Sequence, residues 1–175
     1  MNSSSKTFCI LPWNHISVNS DGTIRTCTYS TRTILKPNKE PWKFGTDKFE
    51  NIINCEEFQE IRRQMINGEE VPGCERCYNH EKQGQPSFRK QFADRYGKYI
   101  EESLENTKPD GHLKNFKMRY YDIRFSNICN FKCRTCNSHF SSQWEQENIK
   151  RNLAYSRIPI KNNNPKLVKE VVEHI

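Results

Sequence analysis

The chain of 175 residues is short of several things that would have simplified its reading. No stretch approaches the roughly 20 consecutive apolar residues that a membrane-spanning helix needs. The amino terminus, Met1-Asn-Ser-Ser-Ser-Lys-Thr7, lacks the apolar core of a secretion signal, so a cytoplasmic setting is expected. Hydrophobic residues make up only 34% and the mean hydropathy is −0.97, which leaves a lean core for this length. Two remedies are open: metal groups staple the chain together, or it is part of a larger body; a mixture of both is expected. A long basic block is also missing. The net charge is +7, but the cations are interleaved with acids, as between Asn54 and Arg63. A solvated, generally basic surface is therefore expected over a dedicated nucleic-acid face, with some attraction for an anionic partner. No internal repeat is present.

Cysteine is plentiful by contrast, with eight: Cys9, Cys27, Cys55, Cys74, Cys77, Cys129, Cys133 and Cys136. In a reducing compartment clustered cysteines bind metal more often than they pair as disulfides.

The pattern along the chain is mixed α+β. Residues 13–27 read as a hairpin: Ile16 and Val18 alternate with polar neighbours, Asn19-Ser-Asp-Gly22 makes the turn, and Thr23 to Cys27 resumes extended character. Between Cys55 and Gly68, Phe58, Ile61, Met65 and Ile66 fall on one helical face, with Gly68 as the stop. Val71-Pro-Gly-Cys74-Glu-Arg-Cys77 reads as a tight turn bearing two thiols. A second helix is expected from near Ser87, with Phe88, Phe92, Tyr96 and Ile100 at four-residue intervals. Glu105 to Gly111 is turn-rich and polar, the expected linker between a domain over 1–111 and another over 112–175. Met118 to Phe125 is strand-like, with Tyr121, Ile123 and Phe125 on one face. Helices are expected near Ser142–Leu153 and from Pro165, the latter carrying the stripe Leu167, Val171, Val172 and Ile175.

Cys129-Asn-Phe-Lys-Cys133-Arg-Thr-Cys136 gives C-x3-C-x2-C directly after the strand-like segment. Three thiolates at this spacing can wrap a short loop around three corners of a cubane iron–sulfur cluster and leave the fourth iron open. Most structural metal sites use four protein ligands, so a triplet points to a metal held open for a substrate. His139 is the nearest candidate fourth ligand for a zinc site. The remaining cysteines form a looser group, Cys9, then Gly22-x4-Cys27, then Cys74-x2-Cys77. Spacing alone leaves zinc and iron–sulfur both open there.

The triplet together with Tyr121-Asp-Ile-Arg-Phe-Ser-Asn-Ile128 resembles the signature of radical SAM enzymes, in which the first strand of a partial (β/α) barrel runs into the cysteine loop. The resemblance implies a 4Fe-4S cluster on Cys129, Cys133 and Cys136 whose open iron chelates S-adenosyl-L-methionine. An electron then cleaves the sulfonium to a 5′-deoxyadenosyl radical. Thr135 stands where an aromatic residue is frequent in the superfamily. The hairpin with Gly22-x4-Cys27 and the later Cys74-x2-Cys77 resemble the auxiliary-cluster domain of SPASM/twitch type, here preceding the barrel. Flanking text agrees: Cys9-Ile-Leu-Pro-Trp13-Asn-His15 before, and Cys77-Tyr-Asn-His-Glu81 on to Ser87-Phe-Arg89 after.

This second resemblance implies an auxiliary 4Fe-4S cluster on Cys9, Cys27, Cys74 and Cys77. Cys55, at a predicted helix start, is a buried or capping thiol and the reserve ligand should Cys9 not serve. An electron donor and, by family analogy, a peptide or protein substrate are the implied partners. His15 is read as a packed histidine, His80 and Glu81 either as supports of the metal site or as a solvated helix start. Ser138 to Trp144 is read as a helix amino terminus with Trp144 packed on the strand. The glycine-glycine-glutamate stretch of the superfamily has no counterpart. At about 30 residues per βα unit, 112–175 supplies at most two of the six units the resemblance implies. A fragment, a truncated gene or a completing partner is therefore expected. The rival reading is a non-enzymatic, zinc-stabilised module that binds nucleic acid or protein.

Overall fold

A computed structural model describes residues 6–153 and Lys169. The first element is a single helical turn, α1 (Leu11–Asn14), opened by Pro12 near its start, where a missing N–H costs nothing. It leads into β1 (His15–Val18), which turns through Asn19–Gly22 into β2 (Ile24–Arg25). Asp21 closes this turn by accepting hydrogen bonds from the Thr23 backbone N–H (3.0 Å) and hydroxyl (2.6 Å). Helices α2 (Phe49–Ile53), α3 (Glu56–Asn67), α4 (Glu75–Lys82), α5 (Phe88–Tyr96) and α6 (Ile100–Glu105) follow, with a 3₁₀ turn at Gly97–Tyr99. The strand β3 (Tyr120–Ile123) and helix α7 (Ser142–Lys150) complete the described elements. The architecture is α+β. The helix expected from Pro165, with its apolar stripe, lies outside the described residues. No helix among the described residues is long and apolar enough to cross a membrane.

The sheet has the order β2-β1-β3: β1 pairs antiparallel with β2 and parallel with β3, in the register His15–Tyr120 to Val18–Ile123. β1 is thus the central strand, and all four of its residues are buried. The alternation of Ile16 and Val18 with polar neighbours suggested one wet face. Both faces are covered instead; Ser17 and the Nδ1 side of His15 are matched inside, while His15 Nε2 is buried with no hydrogen-bond partner among the described residues. The Ser17 hydroxyl donates to Asp122 Oδ2 (2.7 Å), and the His15 Nδ1–H donates to the Tyr120 carbonyl (2.9 Å) beneath a stacked Tyr120 ring. Burial pushes the His15 imidazole down to about 4, so it is neutral at pH 7.

The core gathers Ile10, Leu11, Ile16, Ile24, Ile34, Phe44 and Ile52 with Phe58, Ile61 and Met65 of α3. Fully burying one such side chain contributes about 1.5–3 kcal/mol. Truncating Phe58 to alanine would also open a cavity, for a cost of about 3–5 kcal/mol. Helix α3 starts at Cys55 as its N-cap and stops at Gly68, whose N–H reaches the Gln64 and Met65 carbonyls. On the same helix Arg62 is wholly buried. Its guanidinium donates to the carbonyls of Pro12 (2.9 Å), Ile53 (2.7 Å) and Gly111 (3.2 Å), and so clamps α1, α2 and the 106–115 segment together.

The segment that reads as a polar linker is docked on this clamp. Trp13 Nε1–H donates to the buried Thr107 hydroxyl (2.8 Å), and Asn54 exchanges hydrogen bonds with both backbone groups of Leu113 (2.8 and 3.0 Å). Gly111 has a φ of +87°, and a Cβ there would lie 2.2 Å from the Gln59 carbonyl oxygen; only glycine lets the backbones approach so closely. Packing therefore runs continuously across residue 111 into β3.

Candidate metal centre

Four cysteines reach one pocket from three separate parts of the fold. Cys9 precedes α1, Cys27 follows β2, Cys74 is the N-cap of α4 and Cys77 lies in the first turn of that helix. The turn expected to carry both Cys74 and Cys77 is therefore half helix, which aims the two thiols to one side. The Val71-Pro-Gly73 turn is seated on the loop after Cys27, where the Thr31 N–H donates to the Gly73 carbonyl (3.2 Å). Gly73 has a φ of +93°, and an added Cβ would stand 2.6 Å from Arg32 Cβ, so a side chain there would push Cys74 away from Cys27.

Leu11, Tyr29, Met65, Tyr78 and Phe88 are among the other residues that line the pocket, with Arg76 and Arg89. All four thiols are free; Cys9, Cys27 and Cys77 are buried and Cys74 is partly so. Each of the four is close enough to the other three to feel their charge. Burial, aided by that mutual repulsion, raises the Cys9 thiol well above its ordinary value. Burial likewise pushes Cys27 up to about 11 and Cys74 up to about 12. Backbone N–H groups oppose this, from Leu11 to Cys9 and from Tyr29 and Ser30 to Cys27. Four thiols that repel one another as anions, with amide donors already aimed at two of them, suit a cationic metal group that takes their protons' place. Among the described residues no three His, Cys, Asp or Glu side chains converge closely enough to hold a single metal ion. The four cysteines line one pocket.

A polar brace holds this pocket. Arg89 of α5 ion-pairs with Glu81 of α4, donates through Nε to the same carboxylate (3.0 Å) and reaches the Phe8 carbonyl (2.8 Å) next to Cys9. Ser87 caps α5 and donates to Glu81 (2.5 Å). Burial alone would raise the Glu81 carboxyl, but these hydrogen bonds and the Arg89 charge hold it below its usual range. Glu81 is thus a support and not a solvated helix start, while the His80 side chain makes no contact of this kind among the described residues. Tyr78 lines the pocket, accepts from the Val71 N–H (3.3 Å) and donates to the Thr7 carbonyl (3.5 Å). Sequence reading passed over it, although its position directly after Cys77 on one helix was the available signal. Cys55 stands apart, buried at the start of α3 beside Glu57 and Arg62 and bordering a different cleft.

The triplet has another character. Cys133 is exposed, Cys129 and Cys136 are half-buried, and the loop is held by α7. Ser142 exchanges hydrogen bonds with both backbone groups of Cys129 (3.2 Å each), Ser141 donates to the Phe131 carbonyl (2.7 Å), and Trp144 Nε1–H donates to the Cys133 carbonyl (3.0 Å). Trp144, expected against the strand, is instead a tether of the cysteine loop. The Phe131 N–H points at Cys129 Sγ (3.4 Å).

Residues 9–78 match the family model SPASM, described as an iron–sulfur cluster-binding domain. That segment opens on Cys9 and closes one residue after Cys77, so it encloses the quartet and leaves β3 and the triplet outside. No curated protein and no solved structure matches the chain.

Proposed function

We propose that the chain is a two-cluster radical SAM iron–sulfur protein or the amino-terminal part of one, in which a SPASM/twitch-type unit precedes the start of a partial (β/α) barrel. The observation that carries this reading is the quartet itself: four free thiols around one pocket, bounded by the segment that matches an iron–sulfur-binding domain. Cys9, Cys27, Cys74 and Cys77 would hold an auxiliary 4Fe-4S cluster, the all-cysteine donor set such clusters use. The Leu11, Tyr29 and Ser30 amides would donate to its sulfur ligands, which tunes a cluster's potential. Tyr78, Phe88 and Met65 would keep water from it.

Cys129, Cys133 and Cys136 would hold a second 4Fe-4S cluster with one iron left for S-adenosylmethionine. When bound, that cluster supplies the electron for reductive cleavage of the sulfonium. The chain's own contribution at this loop is orientation: Ser141, Ser142 and Trp144 fix the backbone carbonyls and amides between the thiols. An electron donor and a peptide or protein substrate belong to the same proposal, by analogy with the family. A lone zinc on the quartet is the competing occupant. Iron–sulfur is favoured over it because residues 9–78 match a domain described as iron–sulfur cluster-binding.

Anaerobic purification followed by reconstitution with iron and sulfide tests the reading. Expected are a brown protein, a broad charge-transfer absorption and an electron-spin signal after dithionite. Stoichiometric zinc with no colour, retained against iron and sulfide, would overturn it.

A further inference from the structure

Between the hairpin and the triplet loop lies a cleft with about 860 Å³ of space between atoms. Its walls are Asn19, Arg25 and Thr28 on one side and Arg124, Asn137, His139 and Phe140 on the other. Among the described residues no carboxylate lines it. Arg25 has no ion-pair partner among the described residues; its guanidinium is steered by the Ser30 carbonyl (3.3 Å) and by the Asn19 amide oxygen (3.1 and 3.3 Å) in the orientation that satisfies both side chains. Arg124 shares Asp122 (3.0 Å), donates to the Val18 carbonyl (3.3 Å) and the Thr28 hydroxyl (3.4 Å), and lies 5.4 Å over the Phe140 ring. His139 Nε2 is buried with no hydrogen-bond partner among the described residues, an orphan that a ligand group would satisfy. Donors therefore outnumber acceptors around a roomy, open space, which is the chemistry that recognises an anion. Thr28 directly follows Cys27 and Asn137 directly follows Cys136, so each cysteine group supplies one wall.

We propose that this cleft is an anion-binding subsite, taking a carboxylate or phosphate group through Arg25, Arg124 and His139. Its role as the anchor of a substrate between the two cysteine sites rests on the reading above; the anion binding does not. The test is arginine modification by phenylglyoxal, mapped by mass spectrometry on the anaerobically reconstituted chain. Inorganic phosphate and succinate serve as probes, with sodium chloride at matched ionic strength as control. Phosphate or succinate, but not chloride, is expected to slow modification at Arg25 while exposed arginines such as Arg63 react as before. The probe that protects better identifies the preferred head group. His139→Gln and Arg124→Gln each remove one donor, so each should raise the concentration needed for half-protection about tenfold. Absence of protection at Arg25, or equal protection by chloride, overturns the proposal, and the wild-type result decides it even where a variant does not fold. Iron is counted on the same samples: protection without iron keeps the subsite and sinks the enzyme reading, and iron without protection does the reverse.

Discussion

The two cysteine groups are built in opposite ways. The quartet is embedded in the main core: its thiols come from segments tied to α1, the sheet and α4, and pocket residue Met65 belongs to that core. The triplet sits on a loop whose neighbours face outward. Ile128 is 67% exposed and Phe131 64%, Phe140, Ile149 and Leu153 are uncovered by the described residues, and α7 buries none of its own residues. The loop is shaped by hydrogen bonds to one helix, not by packing. The quartet region carries its own enclosure, whereas the triplet presents thiols and apolar side chains outward. A metal group at the first site would be part of the fold, and one at the second would be a guest on it.

Cysteine replacement should expose this difference most strongly. If both sites hold cubanes, the reconstituted chain binds about eight iron atoms. Replacing Cys129, Cys133 and Cys136 together by alanine should remove about half of that iron, and global stability should change by no more than about 0.5 kcal/mol because the site is peripheral. Cys27→Ser or Cys74→Ser should also lose about half, and with it several kcal/mol, since binding energy at an enclosed site is folding energy. Cys55→Ser should leave iron content and spectrum unchanged. Equal destabilisation by triplet and quartet variants, read from denaturant midpoints, would erase the distinction.

Thiol accessibility in the metal-free chain is a second test. Cys133 and then Cys129 and Cys136 should be alkylated by iodoacetamide under native conditions, with Cys74 behind them and Cys9, Cys27, Cys55 and Cys77 last. Burial pushes Cys27 from the ordinary 9.0 up to about 11, which cuts its thiolate fraction about a hundredfold before shielding is counted. Peptide mapping of a time course that showed Cys9 and Cys27 reacting as fast as Cys133 would mean that the quartet pocket is not closed without metal.

How much of this contrast was legible beforehand depends on the range of the interaction. Helix α3 followed from Phe58, Ile61 and Met65 on one face, and α5 began after Ser87 as the four-residue spacing of Phe88, Phe92 and Tyr96 suggested, although it stops before Ile100. These are local signals. The C-x2-C pair and the Gly22-x4-Cys27 spacing marked the thiols that meet in the pocket. What was not legible is non-local. Parallel pairing of His15 with Tyr120 joins residues 105 positions apart, and no local pattern encodes it. The buried Arg62 looked like one cation in a solvated helix, because nothing in sequence marks the carbonyls of Pro12, Ile53 and Gly111 as its partners. The same blindness made 105–111 read as a linker. Thr107 and the Gly111 carbonyl serve buried partners, while Glu105, Lys108 and Asp110 stay exposed and give the segment its linker-like look.

The seam between the two regions has its own titrating group. His15 of β1 lies under Tyr120 of β3, and burial lowers it from 6.5 to about 4. Because the folded pKa is depressed, the unfolded chain takes up a proton between these values that the folded chain refuses. The contribution to stability is full above about 6.5 and is lost as the pH falls towards 4. Between pH 7 and pH 5 the loss is about 2 kcal/mol. His15→Gln should abolish that share of the acid destabilisation, measured as the difference between wild-type and variant urea midpoints at the two pH values. Identical pH dependence in both would show that His15 is protonated or solvated in the folded chain.

The smallest effect compares two serines that do the same local job in the two regions. Ser87 accepts the Lys90 N–H at the start of α5 (3.1 Å), and Ser141 accepts the Trp144 N–H at the start of α7 (3.5 Å); both are fully buried. Loss of such a cap costs about 1 kcal/mol. Where that cost appears depends on what each helix is attached to. Ser87 also holds Glu81, and α5 packs Phe88 and Phe92 against the quartet side of the core. Ser87→Ala should therefore lower the global unfolding free energy by the cap's share plus that of the Glu81 contact, about 1–2 kcal/mol in all. Ser141 anchors the Phe131 carbonyl of the triplet loop on a helix with no buried residue of its own. Ser141→Ala should leave the global denaturation curve almost unmoved while hydrogen exchange of the amides of Phe131 and Trp144 speeds up about fivefold, the signature of a local opening. A global loss on Ser141→Ala equal to that on Ser87→Ala would mean that the triplet loop and α7 unfold with the core, and that the two regions are one cooperative unit.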